Sequence, residues 1–252
     1  MMSRFLDLFE EEKPIIGMLH LGRRSNVEEA LALTISEMET YLENGIDGVI
    51  VEDYFGDQDD VIATLKYLYE NQDYYRNEYG KNIIYGINYL RDYQSAFILA
   101  KEYDAKFIQI DSISGHLKPD DDKRYEENLE FLREWINIPV IGGVRFKYQP
   151  YLSGRSLEED LLIGMQRSDG IVVTGPGTGF ETPVEKAKLF KKTLNDFPLI
   201  IGAGLTPDNC IEILSVGDGA IVGSYIKDNH QDRGKVSAEN IQRLIKKINT
   251  IK

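Results

Sequence analysis

The chain has 252 residues, of which 42% are hydrophobic and 28% charged, and its formal net charge is −13. This balance is typical of one globular domain with a sizeable core, and the acidic excess disfavours nucleic acid and anionic membranes as partners. Because no long apolar run or secretory leader is present and Cys210 is the only cysteine, we expect a cytoplasmic protein without a membrane span, disulfide or cysteine-based zinc site.

Eight short apolar runs follow one another at intervals of about 30 residues, which is the length of one strand, one helix and two loops. Continuously apolar, β-branched runs of this length are typical of parallel strands that are covered on both faces. The runs span residues 15–21, 48–51, 83–87, 107–110, 140–144, 171–173, 199–201 and 220–222. They predict eight buried strands.

Amphipathic segments lie between the runs, with apolar residues at helical spacing in 27–42, 125–136 and 241–248. Three hydroxyl residues precede a glutamate at a distance that favours the start of a helix, where the two side chains satisfy free N–H groups. These pairs are Ser25 with Glu28, Ser156 with Glu159, and Thr182 with Glu185. The segments predict helices that cover the strands.

Alternating strands and helices predict a parallel sheet with right-handed crossovers, and eight units favour its closure. We therefore expect an α/β protein, a (β/α)8 TIM barrel that forms a single domain over residues 1–252. Residues 1–13 are expected to form a short helix that closes the barrel floor. The alternative is an open doubly wound sheet, but the turn at residues 21–25 lacks the G-x-G-x-x-G fingerprint of that fold.

Active residues of such barrels lie at the carboxyl ends of the strands, and this position selects the candidate catalytic residues. They are His20, Glu52, Asp111 and Lys147. We expect Glu52 or Asp111 to act as an acid or base, and His20 with Lys147 to stabilise developing charge. Because Glu52 and Asp53 are adjacent in a strand, they point to opposite faces, and either one can be the residue that enters the mouth.

Three alternatives stay open for these residues. His20 is equally consistent with a structural histidine, and Lys147 with a Schiff-base nucleophile of an aldolase instead of an electrostatic clamp. The acidic and histidine side chains could together hold a divalent metal such as Mg²⁺, but no compact ligand motif occurs, so we assign no metal ligand and no cofactor.

The last two runs lead directly into turns rich in glycine, at residues 202–209 and 223–224. In TIM barrels these two loops commonly bind phosphate, because glycine lets a ligand approach and free N–H groups attract anions. The predicted phosphate-binding residues are Gly202, Ala203, Gly204, Gly223 and Ser224. Thr174 and Gly175 are also predicted to bind the ligand. They begin a third glycine-rich turn, which either closes over the ligand or is a plain turn.

Five tyrosines are concentrated in residues 67–79. Aromatic side chains are enriched in protein interfaces, so this segment is a candidate contact of a homo-oligomer. A tyrosine-rich helix that packs on the barrel is the alternative.

Several of these segments together resemble the BtpA family, which includes the SgcQ-type proteins, over nearly the whole chain. The matching segments are residues 15–21, 45–52, 105–108, 169–175, 202–209 and 218–227. The resemblance implies a TIM barrel of the ribulose-phosphate-binding type, with the late glycine turns at positions that grip phosphate. Residues 22–25 replace a proline-rich loop, and Gly143 stands where the family often carries Asp, so the substrate need not be shared with the family.

Members of that family have been linked to photosystem I assembly or stability and to a sugar-related gene cluster, and the resemblance does not define a reaction. We expect an enzyme that acts on a small phosphorylated metabolite, a sugar or nucleotide phosphate, as a lyase, isomerase or hydrolase. The alternative is a non-catalytic assembly or stability factor that uses the outer surface of the barrel.

Overall fold

Eight parallel strands form a closed barrel in the computed structural model, which describes residues 3–80 and 82–250. Each strand pairs with the next one in sequence, and the eighth pairs with the first. The strands are β1 (Ile15–His20), β2 (Gly48–Glu52), β3 (Tyr85–Asn88), β4 (Phe107–Ser114), β5 (Val140–Val144), β6 (Gly170–Val173), β7 (Leu199–Ile201) and β8 (Gly219–Val222). The predicted α/β TIM barrel with a single domain is confirmed.

Helices alternate with the strands and cover the outside of the barrel. In the described residues they are α1 (Val27–Glu43), α2 (Gln58–Glu70), α3 (Gln72–Tyr79), α4 (Tyr93–Glu102), α5 (Pro119–Trp135), α6 (Leu157–Arg167), α7 (Val184–Leu194), α8 (Cys210–Leu214) and α9 (Ala238–Ile248). The three predicted helical segments fall within α1, α5 and α9, apart from the last residue of the second. None of the helices in residues 3–80 and 82–250 has both the length and the apolar character that a membrane crossing requires.

One of the three predicted helix starts has the expected capping geometry. Ser156 accepts a hydrogen bond from the backbone N–H of Glu159, whose carboxylate accepts one from the N–H of Ser156. The start predicted at Ser25 is wrong by one residue, because the Asn26 side chain caps α1 by accepting from the backbone N–H of Glu29. Asparagine and serine are preferred to a similar degree at the N-cap position of a helix.

Thr182 does not cap α7, which is the second correction to the predicted helix starts. Pro183 occupies the position before the helix, and the Thr182 hydroxyl donates to the carbonyl of Ala203, 2.9 Å away. Thr182 therefore ties the loop after β6 to the loop after β7.

The core has two layers, as the alternation of side chains along a strand requires. Outward side chains such as Ile15, Val49 and Val51 pack against the helices. Inward side chains such as Ile16, Ile50 and Phe107 fill the lower part of the barrel. Polar side chains are therefore left to the carboxyl ends of the strands, above this inner layer.

The N-terminal segment lies under the barrel, and the short helix expected within residues 1–13 is a single 3-10 turn at Leu6–Leu8. Phe5 is fully buried, and its ring meets the Phe107 ring edge to face, with 5.1 Å between the centroids. The backbone becomes extended at Phe9, which ends the turn. Residues 1 and 2 of the predicted segment lie outside the described residues.

The tyrosine-rich segment, residues 67–79, covers the end of α2 and the whole of α3. Tyr75 is fully buried, and its hydroxyl lies 3.2 Å from the Tyr67 hydroxyl. Tyr69 and Tyr74 are half exposed. Packing between the two helices accounts for the buried tyrosines of this group.

Phe5→Ala is expected to lower the free energy of unfolding by about 3 kcal/mol, because it removes a buried ring and leaves a cavity under the barrel. Phe131→Ala is the matched control, since Phe131 is 64% exposed and its loss should change stability by about 0.5 kcal/mol or less. Urea unfolding of both variants measures the difference. Equal stability of the two variants would show that the N-terminal segment does not support the barrel.

Candidate active site

A cavity of about 200 Å³ opens at the carboxyl ends of the strands. It brings together two groups of residues that are far apart in sequence, namely the candidate acid–base residues and the two late glycine turns. The predicted residues that line it are His20, Glu52, Asp111, Lys147, Gly202, Ala203, Gly204, Gly223 and Ser224. The two glycine turns are neighbours because β7 and β8 are paired, with Ile201 opposite Ala220.

The register of the first three strands places three polar side chains in one row. His20 is the register partner of Glu52, and Glu52 is the partner of Asn88. His20 Nε2 lies 3.4 Å from Glu52 Oε2. Asn88 Nδ2 donates to Glu52 Oε1 at 2.7 Å and to Asp111 Oδ1 at 3.0 Å, so one amide holds both carboxyl groups.

The structure decides which of the two adjacent acids faces the cavity. Glu52 lines the cavity, whereas Asp53 Oδ1 accepts a hydrogen bond from the backbone N–H of Leu90 at 2.7 Å. Arg91 Nε lies 3.5 Å from Asp53 Oδ2. Asp53 is therefore a structural residue that holds the loop after β3.

Burial changes the protonation of the ionisable side chains at this site. Burial and the neighbouring charge of Asp111 raise the pKa of Glu52 from 4.5 to about 8, and burial raises the pKa of Asp111. Burial, with the positive charges of Lys227 and Arg23, lowers the pKa of His20 well below its ordinary value. At pH 7 the protein therefore holds a neutral Glu52 and a neutral His20.

The late glycine turns present backbone N–H groups to the cavity. Within the described residues, the N–H groups of Ala203, Gly204 and Ser224 donate no hydrogen bond, whereas that of Gly202 donates to Val173. Gly204 has a φ of +71°, and a Cβ there would lie 2.3 Å from the Cα of Glu181, so only glycine fits. Unpartnered amides in a loop of this kind suit an anionic ligand.

Ser224 contributes to this turn through its backbone. Its hydroxyl donates to Asp232 Oδ1 at 2.5 Å, and the Tyr54 hydroxyl donates to Asp232 Oδ2 at 3.3 Å. A Cβ on Gly179, in the loop after β6, would lie 3.4 Å from the Ser224 hydroxyl oxygen. The loop after β6 therefore lies against the turn after β8 at the rim of the cavity.

Lys147 supplies a cation at the same rim. Its Nζ donates to the hydroxyl of Thr178 at 2.9 Å, and the backbone N–H of Thr178 donates to the Tyr148 hydroxyl at 2.8 Å. These bonds join the loops after β5 and β6. Tyr148 has a φ of +62°, a left-handed conformation that is uncommon for a residue with a large side chain.

Two predicted ligand-binding residues do not line the cavity. Thr174 is buried; its hydroxyl accepts from the backbone N–H of Lys147 at 3.4 Å, and its carbonyl accepts from Lys186 Nζ at 2.7 Å. A Cβ on Gly175 would lie 2.4 Å from the carbonyl oxygen of Glu181, so this glycine permits two loop segments to pass closely. Both residues shape the loop after β6.

Arg145 and Arg23, which are also near the strand ends in sequence, are held by buried carboxylates. Arg145 Nε donates to Asp160 Oδ2 at 2.8 Å. Arg23 forms an ion pair with Glu37. A buried carboxylate needs such partners, and this requirement takes both guanidinium groups away from the cavity.

The sequence did not reveal several residues that line the cavity. Gln109 precedes Asp111 by two positions in β4 and shares its face, so the alternation of the strand was a usable signal. The Tyr54 ring lies 4.7 Å from the His20 ring, and Thr178 binds Lys147. Tyr54 and Thr178 lie in loops, where no periodicity indicates the direction of a side chain.

An amide side chain separates the two acids of the cavity. In residues 3–80 and 82–250, no group of three or more His, Cys, Asp or Glu side chains is placed to hold a metal ion. The Asn88 amide lies between the carboxyl groups of Glu52 and Asp111 and donates to both. The chemistry that this geometry supports directly is proton transfer and binding of an anion.

Comparison with known proteins assigns the chain to a family. The sequence model of the BtpA family matches residues 11–250. The chain belongs to the BtpA family. An uncharacterized protein of Pyrococcus abyssi is 30% identical, with 95% of this chain and 97% of that protein covered. The photosystem I biogenesis protein BtpA of Synechocystis is 25% identical, with 87% of this chain and 82% of that protein covered.

Solved structures place this BtpA-family chain among TIM barrels. A structure described as native KDPGal has a TM-score of 0.63 at 15% identity and covers 96% of this chain and 97% of its own. Phosphoribosyl anthranilate isomerase from Thermus thermophilus has a TM-score of 0.58 at 14% identity, with 95% and 100% covered. At these identities the likeness concerns the fold.

Glu52→Gln is expected to gain stability relative to the wild type as the pH rises from 4.5 to 8. The folded pKa of Glu52 is about 8, against 4.5 for an ordinary glutamate. The neutral carboxyl therefore contributes its full stability below pH 4.5 and loses it as the pH rises to 8, whereas glutamine does not ionise.

Urea unfolding at several pH values in this interval measures the difference. Glu158→Gln, at an exposed position of α6, is the control and should follow the wild type at every pH. Parallel pH profiles of the wild type and Glu52→Gln would contradict the raised pKa.

Proposed function

We propose that this protein is an enzyme that binds a small phosphorylated metabolite and moves a proton on it, as a lyase, isomerase or hydrolase. The observation that carries the proposal is one cavity that joins two carboxyl groups, held by one amide, to a pair of turns whose N–H groups have no partner among the described residues. Phosphate binding fixes the position of the substrate, and the acids act on the atoms that reach them.

The turns after β7 and β8 are the proposed phosphate site. The N–H groups of Ala203, Gly204 and Ser224 donate to phosphate oxygens, and glycine allows the close approach. Lys147 adds a positive charge that offsets the charge of the dianion and of Asp232. This position, after the last two strands, is the one at which TIM barrels commonly bind phosphate.

Glu52 and Asp111 are the proposed acid and base. A neutral Glu52 donates a proton near pH 7, and Asp111, which also accepts a bond from Asn88, receives one. Lys147 stabilises negative charge that develops on the substrate. His20 lines the same cavity, with its Nε2 3.4 Å from Glu52 Oε2, and is the proposed hydrogen-bonding partner of a substrate hydroxyl or carbonyl.

The competing candidate is an assembly factor without catalysis, which the 25% identity to the photosystem I biogenesis protein BtpA of Synechocystis favours. Such a protein would use its outer surface, where Tyr69 and Tyr74 are half exposed. It would not need buried acids beside a cavity, which cost stability and are typical of catalytic sites. The hypothesis of an enzyme therefore accounts for more features of the site than the hypothesis of an assembly factor does.

Gly223→Ala is expected to weaken binding of ribose 5-phosphate by about tenfold and to leave the fold intact. A Cβ on Gly223 would lie 3.4 Å from His20 Cε1, an ordinary contact, and it would project among the residues that line the cavity. Calorimetric titration of both proteins measures the affinity, and an unchanged melting temperature checks the fold. Equal affinities would exclude the turn after β8 as the phosphate site.

Catalysis itself is tested with a mixture of small metabolites extracted from cells and followed by mass spectrometry. We expect the wild type to convert a phosphorylated compound, and Glu52→Gln to do so about 100-fold more slowly, because a general acid contributes at least this much. Glu158→Gln should match the wild type. If the wild type leaves every phosphorylated compound unchanged, the assembly factor becomes the better candidate.

A further inference from the structure

A second cavity, of about 380 Å³, lies beside the active-site cavity, between the loops after β3 and β4. We call it the side cavity. It shares three wall residues with the active-site cavity, namely Leu90, Gln109 and Asp111. The two cavities therefore border one another at Asp111.

Aromatic rings form one part of the side cavity. The Tyr93 and Tyr125 rings lie 5.0 Å apart, and the His116 ring meets Tyr125 edge to face at 5.4 Å. All three residues line the side cavity. Aromatic walls of this kind favour a flat, apolar-faced group over a bare sugar, because rings stack on rings.

Three of the residues that line the side cavity carry buried polar atoms without a partner in the described part of the chain. Gln109 is 4% exposed and Ser112 is 6% exposed, and within the described residues neither Gln109 Oε1 nor the Ser112 hydroxyl has a hydrogen-bond partner. His116 Nδ1 also has no partner in residues 3–80 and 82–250, and burial lowers the pKa of His116, so its ring is neutral at pH 7. Buried polar atoms usually have partners, so three in one cavity indicate a polar guest.

The charged side chains at the rim of the side cavity are already engaged. Arg91 donates to the carbonyl of Gly56 and lies beside Asp53. Asp92 accepts from the backbone N–H groups of Gln94 and Ser95 at the start of α4. The guest that suits this lining is therefore uncharged and carries hydrogen-bonding nitrogen or oxygen atoms on a flat ring.

We propose that the side cavity binds a neutral nitrogen heterocycle, so that the substrate is a phosphorylated compound of the nucleotide type. The inference rests on the proposed function. In a ring of eight strands, the loops after β3 and β4 lie across the mouth from those after β7 and β8. A ligand with phosphate at one end and a heterocycle at the other therefore has its middle part beside Glu52 and Asp111.

The test compares calorimetric titrations of the protein with ribose 5-phosphate and with adenosine, inosine and uridine 5′-monophosphates. We expect at least one nucleotide to bind about tenfold more tightly than ribose 5-phosphate. Ser112→Ala should weaken the binding of that nucleotide about fivefold, which is the usual contribution of one hydrogen bond. It should leave the affinity for ribose 5-phosphate unchanged.

Ser114→Ala is the matched control. Ser114 is a buried serine of the same strand, its hydroxyl is also without a partner in the described chain, and it does not line the side cavity. It should leave the affinity for every ligand unchanged. Neither variant removes a hydrogen bond that the described residues form, so both should melt at the wild-type temperature.

The outcomes separate this inference from the proposed function. If ribose 5-phosphate binds as tightly as every nucleotide, or if Ser112→Ala and Ser114→Ala behave alike, the side cavity does not hold a heterocycle and the phosphate site stands. If neither ribose 5-phosphate nor any nucleotide binds, the proposed phosphate site fails, and the inference fails with it.

Discussion

The register of the closed barrel is the constraint on which the site depends. Parallel pairing sets His20 beside Glu52 and Glu52 beside Asn88, and closure brings the loop after β8 back to β1. A shift of one residue in β2 would turn Glu52 outward and bring Asp53 into the mouth. The backbone hydrogen bonds of the sheet therefore decide which acid can act on a ligand.

Burial of polar groups gives the row its chemical character. A carboxyl group in a poorly solvated place favours its neutral form, and a second acid nearby strengthens that preference. The Asn88 amide partly offsets this cost by donating to both acids. The result is a pair of carboxyl groups with unequal surroundings, which is the arrangement that acid–base catalysis uses.

A separate buried ion pair network holds the loop that carries the proposed phosphate turn. Glu37 of α1 forms ion pairs with Arg23 and with the fully buried Lys227, whose pKa burial lowers to about 8. Arg23 also donates to the carbonyl of Gly234. The loops after β1 and β8 are thus both attached to α1. These ion pairs keep the turn at Ser224 beside the row of His20, Glu52 and Asn88.

The sequence by itself determined the barrel, because strand and helix periodicity and glycine turns are local properties of the chain. It also selected His20, Glu52, Asp111 and Lys147, since strand ends in such a barrel meet at one rim. Only the tertiary structure decided that Glu52 and not Asp53 enters the cavity and that Thr174 lies behind it. The side cavity could likewise not be predicted from the sequence, because its walls come from separate loops whose contacts follow no sequence period.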